Sequence, residues 1–191
     1  MKVHETPLPG VLLIEPRVLR DPRGFFYESF QAERFRELGL PTHFVQDNHS
    51  RSRRGVLRGL HYQLTRPQGK YVTALRGEIF DVAVDIRRGS PTFGRWYGVT
   101  LSGDDPHYLW IPPGYAHGFC VLSDEADFVY KCTDVYVPSD ERSVRWDDPT
   151  IGIEWPHPDP IVSDRDRAAR PLAEMERDLP VYMPDATPVS R

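Results

Sequence analysis

The chain is poor in cysteine. Its two cysteines, Cys120 and Cys132, lie in apolar strand-like runs and match no zinc or Cys-x-x-Cys spacing. That excludes a disulfide framework and points to buried, reduced thiols in a cytoplasmic protein. Long hydrophobic runs are missing too. No ten consecutive residues are apolar, so no transmembrane helix is expected. The opening MKVHETPLPG has neither the apolar centre nor the cleavage signal of a secretory leader. Excess charge of one sign is also absent. With 24 basic residues against 28 acidic, the net charge is −4 and the pI is near 6.0. This balance argues against a nucleic-acid or membrane-surface binder. The basic run RSRRG at 51–55 is then a local feature.

What is present suits a packed β protein. The 191 residues are 39% hydrophobic, 27% charged and 12% aromatic, which excludes a disordered chain. A chain of this length buries roughly 70% of its unfolded surface and needs no staples. Nineteen prolines and 14 glycines are spread between short apolar runs, a pattern of many turns. Strands are expected at 11–15, 25–30, 44–48, 56–63, 70–75 and 78–86, then in WYGVTL, HYLWIP, HGFCVL and DFVYKCTDVY. In EIFDVAVDI, Phe80, Val82, Val84 and Ile86 alternate with Asp81, Ala83 and Asp85, giving a strand with one apolar face. QAERFREL at 31–38 is the one early helix, closed by Gly39 and Pro41. Ser163 followed by Asp166 reads as a capping signal for a short helix over 164–169. No βαβ rhythm and no internal repeat is found. The expectation is an all-β sandwich or jelly-roll barrel with a few short peripheral helices. Residues 1–180 would form one domain and 181–191 a loose tail.

The candidates for chemistry start with seven histidines. A metal-binding barrel of this kind uses a His-x-His pair, an acid and a later histidine. The later part is present in IPPGYAHGF, which ends on His117, but the run LHYQ offers His61 and then Gln63. Two histidines are too few for a tight transition-metal site, so no metal is expected. His61 instead suits acid–base work near neutral pH. Arg58 precedes it by three residues, and Lys70 follows it by nine, coming off a turn onto a strand that could lie beside it. Such cations suit a phosphate or a developing enolate. Strict alternation would put Arg58 and His61 on opposite faces, unless a bulge at Gly59 turns both inward. Tyr130 shares a face with Phe128 and Cys132 and is either a core tyrosine or a proton donor. Asp166 is either part of a helix cap or a carboxylate that orients a histidine.

The runs DPRGFF, FVQDNHSRSRRGVLRGLHYQ, PQGK, RGEIFDVAVDIRRGSPTFGRW, LWIPPGYAHGF, YKCTDVYVPSDE, WDDPTIGIEWP and VSDRD resemble the dTDP-4-dehydrorhamnose 3,5-epimerases, in the order of that family. The resemblance covers the chain up to about residue 172. It implies a cupin-type jelly roll, a homodimer, and no metal or cofactor. The implied substrate is dTDP-4-dehydro-6-deoxy-D-glucose, a dTDP-4-keto-6-deoxy sugar, epimerised at C3 and C5 to dTDP-4-dehydro-β-L-rhamnose. A relative acting at C3 or C5 alone is the first alternative, and a non-catalytic nucleotide-sugar-binding cupin, which need not keep His61 with Tyr130, is the second. By resemblance, His61 is the base, Tyr130 the acid, Asp166 the partner of the histidine, and Lys70 the stabiliser of the enolate oxygen, with Arg58 and His117 alongside. Arg23, Glu28, Gln46, Asp47, Asn48, Glu141 and Arg165 match substrate contacts. Arg23 and Glu28 are the candidates to reach a neighbouring subunit's site. Phe25 or Phe26 is a candidate face for the thymine. Tyr62 and Tyr71 stand where phenylalanine and leucine are expected.

Overall fold

The structure is a computed structural model that describes residues 1–184. Two sheets face each other across an apolar core. The N-terminal strands β1 (Lys2–Glu5) and β2 (Leu12–Glu15) begin the first sheet, and a small hairpin of β3 (Leu19–Asp21) and β4 (Gly24–Phe26) follows. Helix α1 (Ala32–Glu37) comes next, its first turn capped by the Gln31 side chain. Then come β5 (Gln46–Arg53), β6 (Leu57–Gln63), β7 (Lys70–Arg76), β8 (Glu78–Asp85) and β9 (Trp96–Ser102). The remaining strands are β10 (Tyr108–Ile111), β11 (Tyr115–Val121), β12 (Glu125–Cys132) and β13 (Glu141–Ser143). One sheet has the order β1-β2-β10-β7-β12-β5 and the other β13-β6-β11-β8-β9. Every strand pairing in them is antiparallel. Two antiparallel sheets facing over one core match the jelly roll expected from the sequence. None of the helices described is long and apolar enough to cross a membrane.

Between the sheets lie Val72, Ala74, Ile79, Ala83, Leu101, Phe119 and Phe128, all buried. In strand β8 both faces are covered. Phe80, Val82, Val84 and Ile86 point away from the barrel, into a second core with Leu60, Tyr62, Leu172, Met175 and Leu179. Asp81, on the other face, points inward and is fully buried. The lid over the outer face comes from the C-terminal segment, which carries α2 (Asp164–Arg167) and two 3-10 turns. Each fully buried aliphatic chain there, such as Leu60, Val82 or Ile86, contributes about 1.5–3 kcal/mol. A third cluster forms where Phe35 of α1 packs on Ile14, Tyr71, Tyr108 and Trp110, on the outer face of the first sheet.

Several elements differ from the sequence expectation. The strand expected at 25–30 ends at Phe26, and Tyr27 and Phe30 leave the hairpin to join the third cluster. The strand expected at 44–48 runs on to Arg53, taking in part of the basic run. The helix expected over 164–169 is one short turn. Val181 forms a bridge with Arg88, and Tyr182 donates its backbone N–H to Arg88, so the segment assigned to the tail begins inside the fold. The rest of that tail, 185–191, lies outside the described residues.

Candidate active site

The site starts from an irregularity in β6. His61 pairs with His117 of β11, and Arg58 pairs with Phe119. Two residues therefore separate the paired positions on β6 and one on β11, which is a bulge. Glycine is required there. Gly59 has φ of 135°, and a Cβ would lie 2.5 Å from the Gly118 Cα. The extra residue turns both Arg58 and His61 into the barrel. The Arg58 guanidinium donates to Ser52 Oγ at 3.1 and 3.2 Å.

The His61 ring is held by a carboxylate from the far end of the chain. Its Nε2 lies 2.6 Å from Asp166 Oδ1. Asp166 sits in α2, whose start is fixed by Ser163 Oγ accepting the Asp166 backbone N–H at 3.1 Å. Only half of the expected capping box forms. Ser163 caps, while the Asp166 carboxylate turns to His61 and to the Gly59 N–H at 3.4 Å. Burial works to raise the Asp166 pKa, but the hydrogen bond and charge of His61 and the Gly59 N–H hold it below the usual carboxylate range. An ionised carboxylate only accepts, so His61 Nε2 carries a proton, and in the neutral ring it is Nδ1 that keeps a lone pair. Nδ1 lies 4.0 Å from Glu141 Oε1. Glu141 is anchored by the Tyr136 hydroxyl, which donates to Oε2 at 2.8 Å, and by an ion pair with Arg165.

The facing wall belongs to the first sheet. On β12, Phe128, Tyr130 and Cys132 point inward, with Tyr130 opposite Asn48 and Val72, and Cys132 opposite Gln46 and Lys70. Gln46 Nε2 donates to Asn48 Oδ1 at 3.0 Å, and Asn48 Nδ2 lies 3.6 Å from Cys132 Sγ. Burial, with Cys132 and Glu141 nearby, pushes the Tyr130 hydroxyl up to about 12 against the pull of Arg58. Burial lowers the Lys70 pKa, opposed by the acidic Glu141 and Asp81 and by Cys132. His117 Nε2 lies 2.9 Å from Asp81 Oδ2, and burial holds the His117 pKa below its ordinary value. The cavity thus has the His61 imidazole on one wall, and on the facing sheet a protonated phenol, Tyr130, with Lys70 on the adjoining strand. Such a set can take a proton next to a carbonyl from one side, steady the enolate, and return a proton from the other.

Residues 5–174 match the family model for dTDP-4-dehydrorhamnose 3,5-epimerase. The chain belongs to that family. It is 54% identical over 178 residues to the dTDP-4-dehydrorhamnose 3,5-epimerase of Pseudomonas aeruginosa, covering 92% of this chain and 98% of that one. It is 57% identical over 168 residues to the enzyme of the same name from Shigella flexneri, covering 87% of this chain and 93% of the other. A crystal structure of the Legionella pneumophila dTDP-6-deoxy-D-glucose-3,5-epimerase, in complex with dTDP-4-keto-L-rhamnose, superposes with a TM-score of 0.92 at 54% identity. That likeness covers 95% of this chain and 98% of that one.

Not every residue assigned from the epimerase motifs meets in this cavity. Asp47 points outward, where Lys131 Nζ donates to its carboxylate at 2.9 Å. It lines a cleft of about 430 Å³ with Tyr71 and Tyr108, to whose lining Asn48 and Tyr130 also contribute. Alternation along β5 explains this, since Gln46 and Asn48 take the inward positions. Arg23 stands on the β3–β4 turn, 90% exposed and paired with Asp21. Glu28 pairs with Arg34 of α1. Phe25 and Phe26 are exposed on the same hairpin. Within one chain these four do not join His61. The hydroxyls of Tyr62 and Tyr71 go to Asp178 O and Ser29 O, away from the cavity, so neither changes its lining. Gln63, at the place of a second metal-binding histidine, donates to Arg66 O and Val135 O and accepts from Val137 N, organising a loop. Sequence reasoning did not pick out Asp81, Ser52 or Tyr136. Asp81 carried a signal, an acid alternating with the apolar residues of β8, but alternation does not say what its face meets.

Proposed function

We propose that the protein epimerises dTDP-4-dehydro-6-deoxy-D-glucose at C3 and C5 to give dTDP-4-dehydro-β-L-rhamnose. The observation that carries this reading is the His61–Asp166 pair at 2.6 Å, open to a cavity whose opposite wall bears Tyr130. His61 Nδ1 takes the proton alpha to the C4 ketone. Asp166 holds the ring and steadies the imidazolium that results. Lys70, unpaired among the described residues, offers its ammonium to the enolate oxygen, with Arg58 beside it for the diphosphate. Tyr130 returns a proton from the opposite wall, which inverts the carbon. His117, Gln46, Asn48, Glu141 and Arg165 contact the substrate around this centre. The enzyme works as a homodimer in the cytoplasm. Arg23 and Glu28, with the exposed Phe25 and Phe26, reach into the partner's site and hold the nucleotide. No nucleic acid or membrane takes part.

The test is proton NMR of the purified 4-keto sugar nucleotide with the enzyme in deuterated water. Deuterium at both C3 and C5 with inverted product is expected. Label at one carbon alone would make this a single-site epimerase, and no label would end the reading.

A further inference from the structure

The barrel interior holds a second histidine–carboxylate pair, and its carboxylate has no assigned role. Asp81 is fully buried, and its Oδ2 lies 2.9 Å from His117 Nε2. Its other oxygen, Oδ1, is buried and meets no partner among the described residues. Leaving a buried acceptor unpaired typically costs about 1–3 kcal/mol, more for a charged group, so a retained carboxylate of this kind invites an explanation. The His117 ring is nearly buried too, stacked beside Phe128 with ring centroids 5.9 Å apart. Its Nδ1 makes no hydrogen bond within the described chain. The groups facing this ring are Asp81 from β8, Lys70 from β7 and His61 from β6; the latter two favour its neutral form and Asp81 opposes it.

An imidazole that gives its Nε2 proton to a carboxylate keeps a lone pair on Nδ1. We propose that Asp81 is a positioning residue, which fixes His117 as the Nε2–H tautomer so that Nδ1 accepts a hydrogen bond from a ring hydroxyl of the sugar. The pairing assigns distinct tasks to neighbouring groups. An acceptor cannot stabilise an enolate oxygen, so that work falls to Lys70, and His117 orients the sugar by a hydroxyl instead. The two histidine pairs are alike in geometry and unlike in purpose. The pair of His61 opens a lone pair toward a carbon-bound proton, and that of His117 toward an oxygen-bound one. The hydroxyl donor rests on the epimerase reading; the tautomer does not.

Nitrogen-15 NMR of histidine-labelled protein, with His117 assigned through a His117→Gln variant, reads the tautomer directly and needs no turnover. A neutral ring protonated at Nε2 between pH 6 and 8 is expected. A ring protonated at Nδ1, or an imidazolium, overturns the proposal. Asp81→Leu removes the acceptor and should shift the ring toward Nδ1–H, while lowering kcat/KM on the order of 10-fold, the worth of one hydrogen bond. Asp81→Asn keeps a carbonyl acceptor and should recover part of both effects. Unchanged tautomer and unchanged kcat/KM in the folded leucine variant would refute the role. If that variant does not fold, the wild-type spectrum alone decides. Should the tautomer be as expected while the 4-keto sugar nucleotide is not turned over, the epimerase reading fails and the assignment of Asp81 stands.

Discussion

Tyr130→Phe removes one hydroxyl and leaves the ring, so it separates packing from chemistry. Phe128 lies beside the ring with centroids 5.3 Å apart, and that contact survives the change. The hydroxyl donates to no atom of the described chain. A core tyrosine bonded to a backbone partner would lose about 1 kcal/mol of stability on this substitution. Here the expected loss is under about 0.5 kcal/mol, and the melting temperature should barely move. Chemistry should respond differently. With its pKa pushed up to about 12, Tyr130 stays protonated through the working range. At pH 8 about one hydroxyl in 10⁴ is ionised. It can therefore give a proton but cannot take one. General-acid contributions run about 10²–10⁴-fold, or about 2.7–5.5 kcal/mol of barrier. His61 still forms the enolate in the variant, so deprotonation outlasts inversion. The assay compares deuterium wash-in at C3 and C5 with the yield of inverted product. Wash-in with retained configuration should exceed inversion by 10-fold or more. Wild-type-like rates for both would refute the reasoning and return Tyr130 to the core. A large fall in melting temperature would show that the hydroxyl has a partner.

Asp166→Asn should lower kcat by about 10²–10⁴-fold, because an amide neither steadies the imidazolium nor fixes the tautomer; steady-state kinetics on the folded variant checks this, and a loss under 3-fold would contradict it. Lys70 should impose an alkaline limit on kcat: its pKa is lowered, so the ammonium is lost as pH rises through a value below the ordinary 10.5, and Lys70→Arg should move that limb to higher pH. An identical limb in both proteins would place the titration elsewhere. Gly59→Ala should destabilise the fold by more than about 2 kcal/mol in denaturant titration, since a Cβ there meets the Gly118 Cα at 2.5 Å on a backbone of positive φ. Prolonged chelation should leave turnover unchanged; activity lost and then restored by one divalent ion would reverse the expectation of a metal-free reaction.

Strands were legible where apolar residues mark a buried face. EIFDVAVDI, WYGVTL and HGFCVL all fall in strands. Legibility failed where a strand has no apolar face to show. Along β5, Gln46, Asn48, Ser50 and Ser52 face the polar interior, while Asp47, His49, Arg51 and Arg53 face out. A strand polar on both sides looks like a loop, and its second half showed only as a local basic run. The short β1 and β13 gave no pattern long enough to count. For the candidate site, residue type and neighbours were enough to single out His61, Lys70 and Tyr130 as candidates. The bulge at Gly59 was open to suspicion but not decidable, because a glycine in a strand fits several geometries. The pairing of His61 with Asp166 spans 105 positions, and no local pattern reports a contact of that range. Alternation set Asp81 apart from the apolar half of β8, and in an antiparallel sheet with one packed face such a half is commonly the wet one. In a barrel with a polar cavity the reverse arrangement is stable, provided another layer covers the apolar half.

That covering layer has a consequence for how the enzyme comes into being. The same C-terminal segment that carries Leu172, Met175 and Leu179 over the outer face of β6, β11 and β8 also brings Asp166 to His61. Every barrel strand, through Ser143, is synthesised before it. A chain still emerging from the ribosome can hold most of its sheets and already display the histidine, yet it lacks the group that orients that histidine. Docking of the last segment therefore closes the apolar layer and arms the base in one event. A chain that ends before Asp166 keeps His61 but not the carboxylate that orients it, so its kcat should fall at least as far as that of Asp166→Asn.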